Sequence, residues 1–172
     1  MDTLVESPQS SLSGVARVLV HAGRLTAKTA EDLTKTAKER KVGFVTAVIA
    51  SGAVTSADLA HTLATSLALP LLDLNAVDAE RMPRNVIEGK LAQQYQVVVL
   101  ARRGNRLFIG GADPTDQEAS ERIKFATQLT PEWVIVEYDK LAKQIEAQST
   151  SANEVLESIA STDFDFDVSD ED

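Results

Sequence analysis

Apolar residues recur at helical spacing through the first 70 residues of the chain. Leu12, Val15, Ala16, Leu19 and Ala22 stand at i, i+3, i+4, i+7 and i+10, which lays one apolar stripe along a helix. Val18 and Val20 lie off that stripe. A helix apolar on more than one side is either deeply buried or covered by a partner. Gly23 suits the left-handed position that ends a helix, and Thr26 suits the N-cap of a second helix running to about Arg40. The order then returns. Phe44, Val45, Val48 and Ile49 form a stripe, Gly52 stops it, and Thr55 with Asp58 makes a T-x-x-D start for a helix through Leu59 and Leu63 to about Leu67. Residues 18–26 (VLVHAGRLT) thus reappear 29 positions later as residues 47–55 (AVIASGAVT). Two copies of a helix-turn-helix unit can bury each other's apolar faces. Their turns, Gly23-Arg24 and Gly52-Ala53, can also present two similar backbone surfaces to one ligand.

The period changes after Pro70. Leu71-Leu72-Asp73-Leu74 reads as an extended link, and Asp78 and Pro83 as openings of one or two short helices, the second ending near Gln94. The β-branched run from Gln96 to Ala101 predicts a strand, Arg102-Arg103-Gly104-Asn105 a hairpin turn, and Arg106 to Gly110 the returning strand. Asp113 is placed to cap a helix whose first residue is Pro114, with Ala119, Ile123, Ala126 and Leu129 on its inner side. A third strand is predicted over Trp133 to Glu137 and a closing helix over Leu141 to Gln148. The fold class is α+β: an all-helical tandem repeat (12–70), then a small α/β layer (71–148) with a three-stranded sheet and helices on one face. Residues 1–11 are expected to be disordered, and residues 149–172 to form a flexible acidic linker in which Leu156 and Ile159 support at most a short helix.

Charge sharpens that division. Eight acids and no Lys or Arg fall in residues 151–172; without those eight, the net charge of −9 becomes −1. Neither part has the basic stripe of a nucleic-acid binder. No apolar run approaches a membrane span. The N-terminal ten residues carry two acids and no basic residue, unlike a secretory signal. The absence of cysteine removes disulfides and thiolate zinc sites and fits a cytosolic protein.

The chemistry that would make an enzyme is missing. There is no G-x-x-x-x-G-K-[ST] and no G-x-G-x-x-G. Gly110-Gly111 before Asp113 is read as easing a strand-to-helix turn rather than as an anion cradle. His21 and His61 have no carboxylate or cysteine partners at ligand spacing, so no metal is expected. Asp113, Asp116 and Glu118 fit the favourable field at a helix start. Arg102, Arg103 and Arg106 make either a solvated turn or a contact for an acidic partner.

The order Gly23-Arg24-Leu25-Thr26, Gly52-Ala53-Val54-Thr55, Leu69 to Leu74, Leu107 to Asp116 and Ile123 to Thr127 resembles the N-terminal domain of the type IV pilus assembly and type II secretion ATPases, over residues 12–148. The resemblance implies a cytoplasmic bacterial protein at an inner-membrane machine. It implies a hexameric ATPase core downstream, with this part monomeric, free of cofactor and not itself an enzyme. Some members of that family bind cyclic di-GMP on the same repeat, through an Arg-Leu-Gly start and a later glutamine in each copy. Here the starts are Gly14-Val15-Ala16 and Gly43-Phe44-Val45, the glutamine positions hold Ala37 and Ser66, and a consensus leucine is Ala30. Each lost charged hydrogen bond is worth roughly 1.5–3 kcal/mol. The resemblance therefore implies a protein-docking module for a PilZ-type adaptor, on Leu12, Val15, Val18, Leu19, Val20 and Ala22, with Gly23, Arg24, Gly52 and Ala53 as residual ligand turns. Direct cyclic di-GMP binding is the alternative.

Overall fold

The computed structural model describes Leu12 and residues 14–162. The expected disorder of residues 1–11 lies outside the described residues. The repeat folds as two helical pairs, α1 (Gly14–His21) with α2 (Ala27–Arg40) and α3 (Phe44–Ser51) with α4 (Ser56–Leu67). Each copy opens its second helix in the same way. Thr26 (φ −77°, ψ 155°) accepts a hydrogen bond from the Thr29 N–H, and Thr55 (φ −76°, ψ 157°) accepts one from the Asp58 N–H, both at 3.2 Å. An N-cap hydroxyl satisfies one of the donors that a helix start leaves without a partner. Thr26→Ala and Thr55→Ala are each expected to lower stability by about 1 kcal/mol in urea titration. The double variant should show the sum within about 0.5 kcal/mol, since the two caps share no partner.

Past α4, Leu71 bridges Ile135 and Leu72 donates to its carbonyl at 2.9 Å, so the link runs along the sheet's edge. Asp73 and Asp78 each cap a single 3-10 turn, Leu74–Ala76 and Ala79–Arg81. Pro83 opens no helix, because Asn85 takes a left-handed φ of 58° and interrupts it. Helix α5 (Gly89–Tyr95) begins only afterwards and feeds β1 (Val97–Arg103). The hairpin to β2 (Arg106–Gly111) forms, but its turn is only Gly104-Asn105, since Arg102 and Arg103 pair with Leu107 and Arg106 as the end of β1; β3 (Thr130–Ile135) joins β2 in parallel after the crossover helix α6 (Gln117–Thr127). Strand order is β1-β2-β3.

Four expectations about this half change. Helix α6 starts at Gln117, not Pro114. The Asp113 carboxylate is spent on the Thr115 N–H (2.9 Å) and hydroxyl (2.5 Å), closing a turn, and Asp116 becomes the N-cap, accepting from the Ala119 N–H at 3.0 Å. Strand β3 starts at Thr130, three residues before Trp133, and ends at Ile135 instead of Glu137. Its Pro131 is tolerated because an edge strand needs partners on one side only. Helices cover both sheet faces, not one. Val98 and Val136 pack with the repeat and α7 (Tyr138–Thr162), while Val97, Val99, Leu107 and Ile109 pack with Ile123 of α6. Finally, residues 149–162, expected as linker, continue α7 as helix. No Gly or Pro falls between Tyr138 and Thr162. Leu141 and Ile145 anchor the first turns in the core, so each later residue only propagates a helix already nucleated.

The helical and sheet layers share one core. Leu19, Val48, Leu59 and Leu63 from the repeat pack in the same cluster as Val136 and Leu141.

Candidate functional site

The turns of the repeat are the first place to look for a site. Gly23 and Gly52 adopt φ of 71° and 72°, so the two copies turn alike. All four expected turn residues, Gly23, Arg24, Gly52 and Ala53, are exposed. Their backbone donors are already engaged. Gly23 N–H bonds to the Val20 carbonyl at 3.1 Å and Arg24 N–H to the Leu19 carbonyl at 2.8 Å. Gly52 N–H bonds to the Ile49 carbonyl at 3.1 Å, and Ala53 N–H to the Ser51 hydroxyl at 3.2 Å. The one charged group among these four residues is therefore the Arg24 guanidinium, and none of their four amides is free.

Helix α1 divides the six expected docking residues. Leu12, Val15 and Leu19 are buried, at 4%, 2% and 0% exposure, and fix the helix in the core. Val18 and Val20 are half-buried, and Ala22 is exposed. A partner meeting this helix touches Arg17, Val18, Val20, His21 and Ala22, a narrower face than the apolar pattern suggested.

The start of α1 is shaped from a distance. Gly14 has φ +57°, and a Cβ there would stand 2.8 Å from the Thr115 hydroxyl oxygen, which Asp113 holds. Burial pushes the Asp113 carboxyl above its ordinary range, against the lowering by its bonds to Thr115. Nothing in the sequence signals this contact between the first helix and the turn after β2.

The other candidates are structural. His21 and His61 are exposed, and among the described residues no three or more His, Cys, Asp or Glu gather at a metal site. Arg106 forks onto Glu132 (its Nη2 at 2.5 Å from Oε2) and sits 5.3 Å over the Phe108 ring. That pairing holds the Glu132 carboxyl below its usual range. Arg102 and Arg103 are exposed at the end of β1, next to the hairpin turn. Lys140 bridges Asp73 (3.0 Å) and Glu137 (3.1 Å), tying the link after α4 to α7 and lowering the Asp73 pKa. Gly110 and Gly111 lie within β2, not at a turn; they make room for neighbouring side chains, as Trp133 shows below. Among the described residues, no helix is long and apolar enough to cross a membrane.

Comparison with known proteins gives this fold its relatives. Residues 67–148 match the family described as the MshEN domain. The chain is 38% identical over 154 residues to the type IV pilus assembly ATPase PilB of Pseudomonas aeruginosa strain PAO1, covering 90% of this chain and 27% of that protein. It is 32% identical over 131 residues to the type IV pilus assembly ATPase PilB of Acinetobacter baylyi, covering 76% of this chain and 23% of that protein. The chain thus spans about a quarter of the length of the curated relatives it matches, and the match does not extend over their catalytic core. Among solved structures, the N-terminal domain of XpsE superimposes with a TM-score of 0.62 at 24% identity, over 85% of this chain and 97% of that one. A structure of MshE with cyclic di-GMP superimposes with a TM-score of 0.57 at 23% identity, over 79% of this chain and 99% of that one. At these identities the two structures share the fold. The chain belongs to the family of MshEN-type N-terminal domains of the type IV pilus assembly (PilB) and secretion ATPases.

Proposed function

We propose that this domain is the regulatory N-terminal module of a type IV pilus assembly ATPase, and that it controls pilus extension by docking a PilZ-type adaptor protein. The observation that carries the reading is Gly14. In relatives that hold cyclic di-GMP on this repeat, an arginine opens the motif. Here the opening residue is packed against Thr115, with no room for a Cβ unless that hydroxyl gives way. The second copy opens on Gly43, equally without a guanidinium. An arginine can pair with a phosphate and stack on a base; glycine does neither. The scaffold of paired turns is kept while the side chains that read a nucleotide are gone.

The partner surface is the outer side of α1 with the turn that follows, Val18, Val20, Ala22 and Arg24. Calorimetry with a PilZ-domain protein is expected to give a Kd of about 1 µM or tighter, which is near −8 kcal/mol. Equilibrium dialysis with cyclic di-GMP is expected to show no uptake at ~100 µM, which bounds direct binding as weaker than about −5.5 kcal/mol. Nucleotide uptake with no adaptor binding would reverse the assignment in favour of a direct receptor. That second reading draws on the likeness to the structure of MshE with cyclic di-GMP and on the matched turn dihedrals. The equivalent domain of a type II secretion ATPase shares this fold, and the downstream partner a motor assembles with distinguishes the two.

A further inference from the structure

Each position in the first copy of the repeat has a counterpart 29 residues later, so the second copy shows what the scaffold alone requires. The apolar positions are kept. Val15, Leu19, Val20 and Leu25 answer to Phe44, Val48, Ile49 and Val54. The basic positions are not. Arg17, His21, Arg24 and Lys28 answer to Thr46, Ala50, Ala53 and Ala57. The second copy forms the same cap and the same turn without them, so the fold does not need these side chains. They also stand in a stretch of one sign. The chain has 26 acids, yet none falls from Ser7 to Ala30.

All four side chains are exposed, and among the described residues no carboxylate pairs with Arg17, Arg24 or Lys28. Arg17 and His21 are one turn apart on α1, on the side away from the buried Leu19, and the half-buried Val18 and Val20 flank them. In the second copy the counterpart of Arg17 is covered. The Thr46 hydroxyl shares a hydrogen bond with the Tyr138 hydroxyl of α7 at 3.2 Å. The position that α7 covers on α3 is thus left to solvent on α1, and there it carries a guanidinium. Basic side chains around half-buried valines suit a protein surface that sets carboxylates around an apolar centre. A phosphate ligand finds less here, because the turn amides are already bonded. Resting on the adaptor-docking reading above, we propose that Arg17, His21, Arg24 and Lys28 form a basic face that receives an acidic surface of the adaptor.

Stopped-flow association of the full chain with a PilZ-domain protein tests this, because charges of this kind act on the rate of encounter. R17Q/R24Q is expected to slow association about tenfold, and R17K/R24K to restore it. Arg17 also donates to the Leu12 carbonyl at 2.9 Å. R24Q alone leaves that bond in place and should slow association about threefold. A50E/A53E is the control. It lowers the net charge as much as R17Q/R24Q does, at exposed counterparts in the second copy, and should leave the rate unchanged. Added salt should slow the parent chain towards the rate of R17Q/R24Q. An unchanged rate in R17Q/R24Q and R24Q overturns the proposal while adaptor docking stands, and so does equal slowing in A50E/A53E. Retention of the parent chain on a DNA duplex, lost in R17Q/R24Q, overturns it in favour of a nucleic acid. No adaptor binding by the parent chain overturns the docking reading, and this inference with it.

Discussion

Leu19→Ala is expected to lower the unfolding free energy by about 3 kcal/mol, within the 2–5 kcal/mol range for emptied leucine sites. Leu19 is fully buried on α1, in the cluster that also holds Val48, Leu59, Leu63, Val136 and Leu141. Its carbonyl also accepts the Arg24 N–H at 2.8 Å and the Leu25 N–H at 3.3 Å, so the side chain seats the same turn that its backbone closes. Helix α1 packs on α2, α3 and α4, and a cavity beneath it cannot be filled by one neighbour shifting. Domains of this size are stable by only about 5–15 kcal/mol, so this one truncation removes a large share. The comparison that matters is Ala22→Glu. Ala22 is exposed, and the change should alter stability by less than about 0.5 kcal/mol. It places a charge on the proposed adaptor face and should abolish docking. Leu19→Ala reports on folding and Ala22→Glu on recognition, although the apolar pattern of the sequence put both residues on one surface. Denaturant midpoints and calorimetry on the same two variants separate these roles.

That ambiguity shows where sequence reasoning stops. The features legible in the chain were those set within a few residues. Gly23 and Gly52 end helices, and Thr26 and Thr55 begin them, because a left-handed residue and a capping hydroxyl act locally. The first strand was visible from its β-branched run and the second as the return of a hairpin. Where local signals competed, the reading failed. Asp113 before Pro114 reads as the cap, whereas its carboxylate is spent on the turn through Thr115 and Asp116 takes the role. The helix beyond Gln148 was missed because its apolar content is low, whereas it extends a helix already held by Leu141 and Ile145. Contacts between distant segments left no trace. The pressing of Gly14 on Thr115 joins residues about 100 positions apart, and a groove along β1 is lined from three separate segments. The half-burial of Val18 and Val20 is of the same kind, since it depends on how the helical layer sits on the core.

Gly111→Ala is expected to be the most disruptive alanine substitution among the glycines. A Cβ at Gly111 would lie 2.4 Å from Cζ3 and 3.0 Å from Cε3 of the Trp133 ring. That is well inside contact distance, and the obstacle is a rigid indole rather than the end of a flexible chain. The ring cannot simply step aside. Its Nε1–H donates to the Ser120 hydroxyl at 2.8 Å, linking β3 to α6 across the sheet face. Gly111 is itself paired with Val97 on one side and Ile135 on the other, so the backbone is held at both edges. Relief requires either breaking the indole hydrogen bond or parting β2 from β3. Overpacking alone costs about 1–3 kcal/mol, and the loss of this half-buried hydrogen bond adds about 1 kcal/mol. A total near 3 kcal/mol is expected by denaturant titration. Trp133 is the only tryptophan, so its fluorescence reports the site without interference. The native emission should shift to the red in Gly111→Ala before any global unfolding, as the ring gains water. Ser120→Ala removes the indole's acceptor, together with the hydroxyl's bond to the Asp116 carbonyl at 3.3 Å, without adding bulk, and should show a smaller shift with about 1 kcal/mol of destabilisation. An unchanged midpoint and emission in Gly111→Ala would mean that the ring does not lie across this glycine. The glycine pair that reads in sequence as a turn before a helix would then need another explanation.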